Sequence, residues 1–190
     1  IFQEVIAKGV IVVAAAGNAA SSEPSYPAAY NGVISVSAVD YVSSPTYYSN
    51  FGPQIDVAAP GGDNTVDLNR DGYPDGVWST MGNDASGQIE MVYRPLQGTS
   101  MAAPHVAGVA ALMKGLWPAM DANAFTGLLI GGAITDDLGQ PGRDDRYGHG
   151  MINAHKALLA VLDESVPPLL HVSPSAIGFG PVRTQAAILL

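Results

Sequence analysis

The sequence has no cysteine, so disulfide bonds and thiolate chemistry are excluded. Positive charge is scarce: 8 Lys and Arg stand against 17 Asp and Glu, and the net charge is −9. An acidic chain repels phosphate backbones, which argues against nucleic-acid binding. No apolar run reaches the roughly 18 residues of a membrane-spanning helix, so we expect no membrane span. Apolar residues make up 47% of the chain, and Gly and Pro are frequent. This composition is typical of a globular protein with many turns.

The chain also lacks an initiator methionine and a signal peptide. It opens with Ile1 in a short apolar stripe, as if in the middle of an element. We therefore expect a fragment, and the missing signal peptide carries no information about the parent protein. Pro167 and Pro168 mark a second break, after which strand-like stretches alternate with Pro and Gly. This pattern predicts one domain over residues 1–165, followed by a linker and the start of a truncated β-type module over residues 166–190.

Apolar patterning predicts strands that alternate with helices. The predicted buried strands are short apolar runs at residues 10–16, 33–39 and 55–59, with shorter strands near 77–80 and 89–93. The predicted helices carry an apolar stripe and cover residues 1–8, 101–117, 121–131 and 150–162. The helix at 101–117 is apolar nearly all round, which predicts a buried helix. The expected fold class is α/β: a three-layer parallel sheet with helices on both faces, incomplete at the N-terminus.

Residues 98–108, GTSMAAPHVAG, place a serine at the start of this helix. Ser100 would stand beside free backbone N–H groups and the positive end of the helix dipole, both of which stabilise a developing oxyanion. Gly98 leaves room for a substrate carbonyl, and we expect Pro104 near the first turn, where its missing N–H costs less. The simpler alternative is that Ser100 only caps the helix, a position that serine favours in any protein.

The whole string closely resembles the serine motif of the subtilisin family, GTSMA(S/A)PHVAG. Other segments resemble that family in the same order: VIVVAAAGN at 10–18, YPAAYNGVISVSAVD at 26–40, SNFGPQIDVAAPG at 49–61 and YGHGMINAHKA at 147–157. The resemblance spans about residues 1–162 and is interrupted mainly by an acidic loop. It identifies the chain as the C-terminal part of the catalytic domain of a subtilisin-like serine protease.

This resemblance implies roles for individual residues. Ser100 would attack the scissile carbonyl and carry the acyl group, and Asn18 would donate its side-chain amide to the oxyanion. The alternative for Asn18 is a turn residue after a strand, which is common for Gly-Asn. One wall of the pocket for the side chain before the scissile bond would consist of Ala14, Ala15, Ala16 and Gly17. Their small size predicts a roomy apolar pocket that prefers large apolar side chains.

A serine hydroxyl is a weak nucleophile without a base, and no base is evident. In subtilisins the triad order is Asp, His, Ser, yet Asp-Thr/Ser-Gly and His-Gly-Thr motifs occur nowhere in this chain. His105 lies about 500° around the helix from Ser100, so we expect a structural role for it. We expect His149 and His155 at the surface. The fragment alone should be nearly inert, and its expected partner is the missing N-terminal part of the same domain.

The acidic insertion at residues 63–75, DNTVDLNRDGYPD, has the spacing of a calcium-binding loop, with glycine at position 6. The candidate ligands are Asp67, Asn69, Asp71, Tyr73 and Asp75. Position 12 is Trp78 instead of a bidentate acid, so Asp63 or a distant residue would complete the shell. The alternative is a solvated acidic turn. Because subtilisin-like enzymes often bind structural calcium, we expect calcium as the cofactor.

These patterns leave three functional hypotheses. The first is a serine endopeptidase that hydrolyses polypeptide substrates through an acyl-enzyme on Ser100. The second is a catalytically dead member of the family, used as a calcium-stabilised binding or scaffold module. The third is an acyl-ester hydrolase. A secreted or cell-envelope location is expected from the habit of the family and from the predicted calcium loop.

Overall fold

The computed structural model describes residues 1–162, so the predicted module at 166–190 lies outside the described residues. The strands are β1 (Val12–Ala15), β2 (Val33–Val39), β3 (Val57–Pro60), β4 (Val77–Asn83), β5 (Glu90–Leu96), β6 (Thr135–Asp136) and β7 (Met151–Ile152). The helices are α1 (Phe2–Ile6), α2 (Thr99–Leu116), α3 (Ala122–Ile130) and α4 (Ala154–Val161). None of these helices is long and apolar enough to cross a membrane.

The main sheet has the strand order β1-β2-β3-β7-β6. Strands β1, β2, β3 and β7 are parallel to one another, and only β6 at the far edge runs antiparallel. Continuous runs of small and β-branched residues favour this arrangement, because a strand in a parallel sheet is covered on both faces. All seven residues of β2 are buried. The predicted α/β class, a mostly parallel sheet flanked by helices, is confirmed.

The core lies between this sheet and the buried stripe of α2. Val36 and Val57 on the sheet meet Val106 and Met113 of α2, and each of these four side chains is fully buried. Phe125 of α3 joins the same cluster. Full burial of a side chain of this size contributes about 1.5–3 kcal/mol. The packing therefore holds the start of α2 at the carboxyl ends of β1 and β3, where Gly98 N donates to Gly61 O at 2.9 Å.

Helix α2 differs from its prediction in two respects. It is buried on one face only, and the other face is exposed to the extent that Leu112 keeps 52% of its surface. Pro104 lies inside the helix and not in its first turn, so the carbonyl of Ser100 has no helical N–H donor. The sheet covers only one face of α2 and leaves the other exposed. The apolar composition of the helix does not indicate this difference.

Two other segments also refine the predictions. The short strands predicted near 77–80 and 89–93 form an antiparallel two-stranded hairpin, β4–β5, separate from the main sheet. The predicted helix at 150–162 was wrong at its start, because Met151–Ile152 is strand β7. Asn153 then ends the strand and caps α4, since its side chain accepts a hydrogen bond from Lys156 N at 3.0 Å. This hydrogen bond to a free N–H group of the first turn explains why the helix begins there.

Candidate active site

Ser100 is the second residue of α2 and is exposed. The N-cap residue is Gly98, and no side chain caps this helix, so Ser100 does not act as the cap. Gly98 has φ 144°, a backbone conformation that favours glycine. Ser100, the candidate nucleophile, therefore projects from a helix start whose backbone conformation depends on glycine at position 98.

The first turn of α2 leaves one N–H group free. The first four N–H groups of any helix lack partners within the helix. Here Gly98 N donates to Gly61 O, Thr99 N to Asn18 Oδ1 and Met101 N to Gly98 O, each at 2.9 Å. The remaining N–H, that of Ser100, finds no acceptor within residues 1–162. It is available beside the Ser100 hydroxyl.

Asn18 is tied to the same helix start by Thr99. Asn18 Oδ1 accepts two hydrogen bonds from Thr99, one from N and one from Oγ1, each at 2.9 Å. The Thr99 N–H can only donate, so this contact must be made by the oxygen of the Asn18 amide and not by its nitrogen. Thr99 Oγ1 in turn accepts from Gly17 N at 3.1 Å. The side-chain amide of Asn18 therefore has a defined orientation.

That orientation leaves the Asn18 NH₂ group with free donors. An added Cβ on Gly98 would lie 3.3 Å from Asn18 Nδ2, which shows that this nitrogen borders the residue just before the serine motif. None of residues 1–162 accepts a hydrogen bond from Asn18 Nδ2. Two donors, Asn18 Nδ2 and Ser100 N, thus remain unused around an exposed serine. An oxyanion that forms on attack by Ser100 needs this kind of donor.

A cavity of about 350 Å³ adjoins the start of α2 on the side of the hairpin. Its lining comes from both strands of the hairpin and from the helix: Val77, Trp78, Ser79, Thr80, Leu96, Met101, Pro104 and His105. The lining is mostly apolar, and Met101 directly follows the serine. The cavity is therefore placed to accept an apolar group of a ligand bound at Ser100.

Within residues 1–162 no histidine side chain forms a hydrogen bond with Ser100. His105 is exposed and its Nδ1 lies 2.8 Å from Met101 O, a contact within its own helix that agrees with the structural role expected for it. His155 is exposed on α4, as expected. His149 is half-buried, so the surface position expected for it is met only in part. Burial lowers the pKa of His149, Arg143 lowers it further, and the Asp56 carboxylate opposes both effects.

The sequence model of the subtilase family (peptidase S8) matches residues 2–150. This chain belongs to the subtilase family. A thermostable alkaline protease of Halalkalibacterium halodurans is 36% identical over 149 residues, which cover 78% of this chain and 34% of that protease. A halolysin-like extracellular serine protease, Nep, of Natrialba magadii is 35% identical over 150 residues, which cover 79% of this chain and 23% of Nep.

A solved structure of a protease from Pseudoalteromonas arctica superposes with a TM-score of 0.72 at 36% identity. The match covers 84% of this chain and 45% of that chain. The chain thus spans less than half the length of these subtilase relatives. The residues matched by the family model include the segments around Asn18 and Ser100.

The predicted pocket wall of this subtilase lies at the carboxyl end of β1. Ala14 and Ala15 are the last two residues of the strand, Ala16 is buried, and Gly17 leads into Asn18. An added Cβ on Gly17 would lie 2.5 Å from Asn50 Nδ2, so only glycine fits there. The wall is thus adjacent to Asn18, which carries one of the two free donors, and its role in substrate binding stays a prediction.

The acidic loop is closed by its own side chains. Asp67 accepts from Asp71 N at 3.1 Å and from Gly72 N at 3.0 Å, and Asp71 accepts from Tyr73 N at 2.9 Å. Asn69 donates to the Asp71 carboxylate at 3.0 Å. Asp67, Asn69 and Asp71, at positions 1, 3 and 5, therefore lie on one turn. Their side-chain oxygens are of the type that calcium prefers as ligands.

The other end of the acidic loop fits calcium less well. Asp75 is 8% exposed and its carboxylate accepts a hydrogen bond from Leu68 N, so it points into the fold. Asp63 is equally buried, forms a β-bridge with Asp75, and accepts two hydrogen bonds from Thr65. Within residues 1–162 no three His, Asp or Glu side chains are grouped to hold a metal ion. The side chains predicted to bind calcium are therefore grouped only at positions 1, 3 and 5 of the loop.

Sequence reasoning missed Thr99 and Asn50, whose side chains contact the segment around Asn18. Thr99 stands inside the serine motif, next to the candidate nucleophile Ser100, and that position was its only signal. Asn50 lies 34 residues from Ala16, to which its side chain donates at 3.0 Å. Nothing in the local pattern around Asn50 indicates this contact, because it depends on how the chain returns beside β1.

Proposed function

We propose that this chain carries the nucleophile and the oxyanion donors of a serine endopeptidase. The observation that supports this most strongly is the pair of unused donors, Asn18 Nδ2 and Ser100 N, around the exposed Ser100. Ser100 Oγ would attack the scissile carbonyl, forming the acyl-enzyme and releasing the amine, and water would then hydrolyse the ester. The oxygen of the tetrahedral intermediate would accept hydrogen bonds from both donors. Loss of one such donor lowers kcat by about 100- to 1,000-fold, a range measured in a subtilisin.

The base that activates Ser100 would come from outside the described residues. Among subtilases the triad is ordered Asp, His, Ser, so the N-terminal part of the same domain would supply the first two. Two features of the described residues support such a partner. Strand β1 pairs only with β2 and is half-buried throughout, and the exposed face of α2 lies beside Ser100. A segment that covers this edge and this face would also bring its histidine near the serine.

A fluorophosphonate probe tests the proposed nucleophile, because it labels only an activated serine. In the protein that contains this chain together with the aspartate and histidine, we expect labelling at Ser100 and its loss in Ser100→Ala. Ser86→Ala, which alters an exposed serine between β4 and β5, serves as the matched control and should keep full labelling. Unlabelled Ser100 would instead favour a catalytically dead binding module. Turnover of esters without turnover of peptides would favour an acyl-ester hydrolase.

We also propose that the first part of the acidic loop binds calcium as a structural ion. The support is the set of oxygens from Asp67, Asn69 and Asp71 on one turn; the Tyr73 carbonyl and water would complete the shell. Calorimetry with calcium chloride tests this, and Asp71→Ala should abolish the binding heat. Asp84→Ala, at an exposed site on the hairpin, is the control. Unchanged binding in Asp71→Ala would remove this site and leave a solvated turn.

We propose a secreted or cell-envelope location, where calcium is abundant and polypeptide substrates are available. The support is the similarity to the extracellular protease of Natrialba magadii. Detection of the protein in culture medium or in an envelope fraction of its source cells tests this. Recovery solely from the soluble cell interior would contradict it.

A further inference from the structure

Asn50 lies directly beneath the loop that carries Asn18. It is only 4% exposed and comes from the segment between β2 and β3, not from β1 or α2. Its carboxamide is packed so closely against Gly17 that an added Cβ there would lie 3.1 Å from Asn50 Cγ. A buried side-chain amide has to satisfy its donors and acceptor within the protein.

The side chain of Asn50 forms three hydrogen bonds to the loop backbone. Asn50 Oδ1 accepts from Ala19 N at 2.9 Å and from Ser21 N at 3.2 Å, and Nδ2 donates to Ala16 O at 3.0 Å. These partners lie on both sides of Asn18. The main chain adds a fourth bond, from Asn50 N to Gly17 O at 2.9 Å.

Residues 16–21 have no helix or strand of their own to hold them. Asn18, Ala19 and Ala20 are exposed, and Ala20 adopts φ 49°, which is uncommon for alanine. The loop backbone is therefore shaped by contacts from elsewhere. Thr99 holds the tip of the Asn18 side chain, while Asn50 holds the backbone from which that side chain projects.

We propose that Asn50 is a positioning residue for the oxyanion donor: its carboxamide sets the backbone of residues 16–21 so that Asn18 Nδ2 is held at the oxyanion. This inference rests on the proposed function, because it assigns Asn50 a role only through Asn18. An oxyanion donor works by being oriented before the charge develops, so a movable donor loses most of its effect. Displacement of a reacting group by about 1 Å can cost about 100-fold in rate.

The test is a double-mutant cycle in the catalytically complete protein, which contains this chain with the aspartate and histidine. Asn50→Asp keeps the acceptor for Ala19 N but places an oxygen against Ala16 O, so the loop must shift. We expect Asn50→Asp to lower kcat roughly 10- to 100-fold with little change in KM. In an Asn18→Ala background, the same change should lower kcat by less than about 3-fold, since the donor that it positions is gone.

Thr46→Val is the matched control. Thr46 is equally buried at 4% and donates to Ala38 O at 3.2 Å, but it forms no hydrogen bond with residues 16–21. It should lower the urea midpoint of unfolding while kcat stays unchanged. If Asn50→Asp does not fold, Asn50→Ser and Asn50→Ala provide milder losses, and hydrogen exchange of Ala19 and Ser21 amides should rise in both.

The outcomes separate this inference from the proposed function. If Asn18→Ala leaves kcat unchanged, the proposed oxyanion role itself fails. If Asn18→Ala lowers kcat but the Asn50 variants do not, only the positioning role is overturned. An equal loss of kcat from Asn50→Asp in both backgrounds would likewise overturn it, because a purely structural defect does not depend on Asn18.

Discussion

Thr99 contacts both halves of the candidate oxyanion site. Its hydroxyl donates to Asn18 Oδ1 at 2.9 Å and accepts from Gly17 N at 3.1 Å, and the side chain is fully buried. A buried hydroxyl that both donates and accepts has its position determined by its partners. Thr99 therefore couples the start of α2 to the loop that follows β1.

Thr99→Val should weaken catalysis in the catalytically complete protein. The change keeps the shape of the side chain but removes the hydroxyl, leaving Gly17 N without its acceptor. A hydrogen bond of this kind contributes about 1 kcal/mol, so we expect a loss of roughly 5-fold in kcat. Steady-state kinetics on a peptide substrate measures it. Thr99→Ser retains the hydroxyl and should restore most of the activity; equal activities of the Val and Ser variants would contradict the role.

His149 should make the stability of the fold depend on pH. Its pKa is lowered from the ordinary 6.5, mainly by burial, so the unfolded chain binds more protons than the folded chain. Stability contributed by His149 is therefore present above about pH 6.5 and is lost as pH falls below that value. Burial raises the pKa of Asp56, which gives a component of the opposite sign at lower pH.

Urea unfolding at several pH values measures the His149 component. In His149→Gln the loss of stability between about pH 7 and pH 5.5 should be smaller than in the parent chain. The exposed His155 offers the control, and His155→Gln should leave the pH profile as it is. The same pH dependence in His149→Gln as in the parent would show that another group is responsible.

At the scale of elements, helix α3 begins at a side chain that caps it. Asp121 Oδ1 accepts from Ala124 N at 2.8 Å, as expected for an N-cap. The helix then buries Phe125 and Leu129 in the core, so fraying at its start would disturb packed residues. The hydrogen bond at Asp121 thus supports the packing of Phe125 and Leu129.

Asp121→Ala should lower the free energy of unfolding by about 1 kcal/mol, the usual loss when a capping oxygen is removed. Chemical unfolding followed by circular dichroism measures the change. Asp121→Asn keeps an oxygen that can accept the hydrogen bond and should lose much less. Similar stabilities of the Ala and Asn variants would mean that charge or solvation, and not capping, determines the effect.

At the scale of the whole molecule, one side of the described structure is poorly covered. Strand β1 forms the edge of the sheet, and its residues are half-buried, unlike those of β2. Leu112 on the adjacent α2 keeps 52% of its surface exposed. Unpaired strand edges next to apolar surface promote association between chains.

The isolated 190-residue chain should therefore self-associate and should not hydrolyse peptides at an enzyme-like rate. Sedimentation at micromolar concentration measures the association, and Leu112→Lys should shift the chain toward the monomer. Leu159, 55% exposed on α4, provides the matched control, and Leu159→Lys should have little effect. A monomeric parent chain would contradict the association, and peptide cleavage by the chain alone would contradict the need for an external base.

Local pattern was sufficient for the elements whose signals are continuous in sequence. The strand predicted at residues 33–39 matches β2 at both ends, and the serine motif predicted the start of α2 to within two residues. The pattern failed at residues 150–162, where a two-residue strand is too short to show any periodicity. It also failed for the exposed face of α2, because exposure depends on the elements that pack against a helix.

The sequence by itself determined the family, the α/β class and the identity of Ser100 and Asn18 as candidates, since a long motif and apolar runs are local features. Only the tertiary structure decided how these residues are held. Thr99 reaches Asn18 across 81 residues, and Asn50 reaches Ala19 across 31. Hydrogen bonds between such distant residues depend on strand order and helix packing. No local sequence pattern indicates these hydrogen bonds. They orient the side-chain amide of Asn18, on which the proposed chemistry depends.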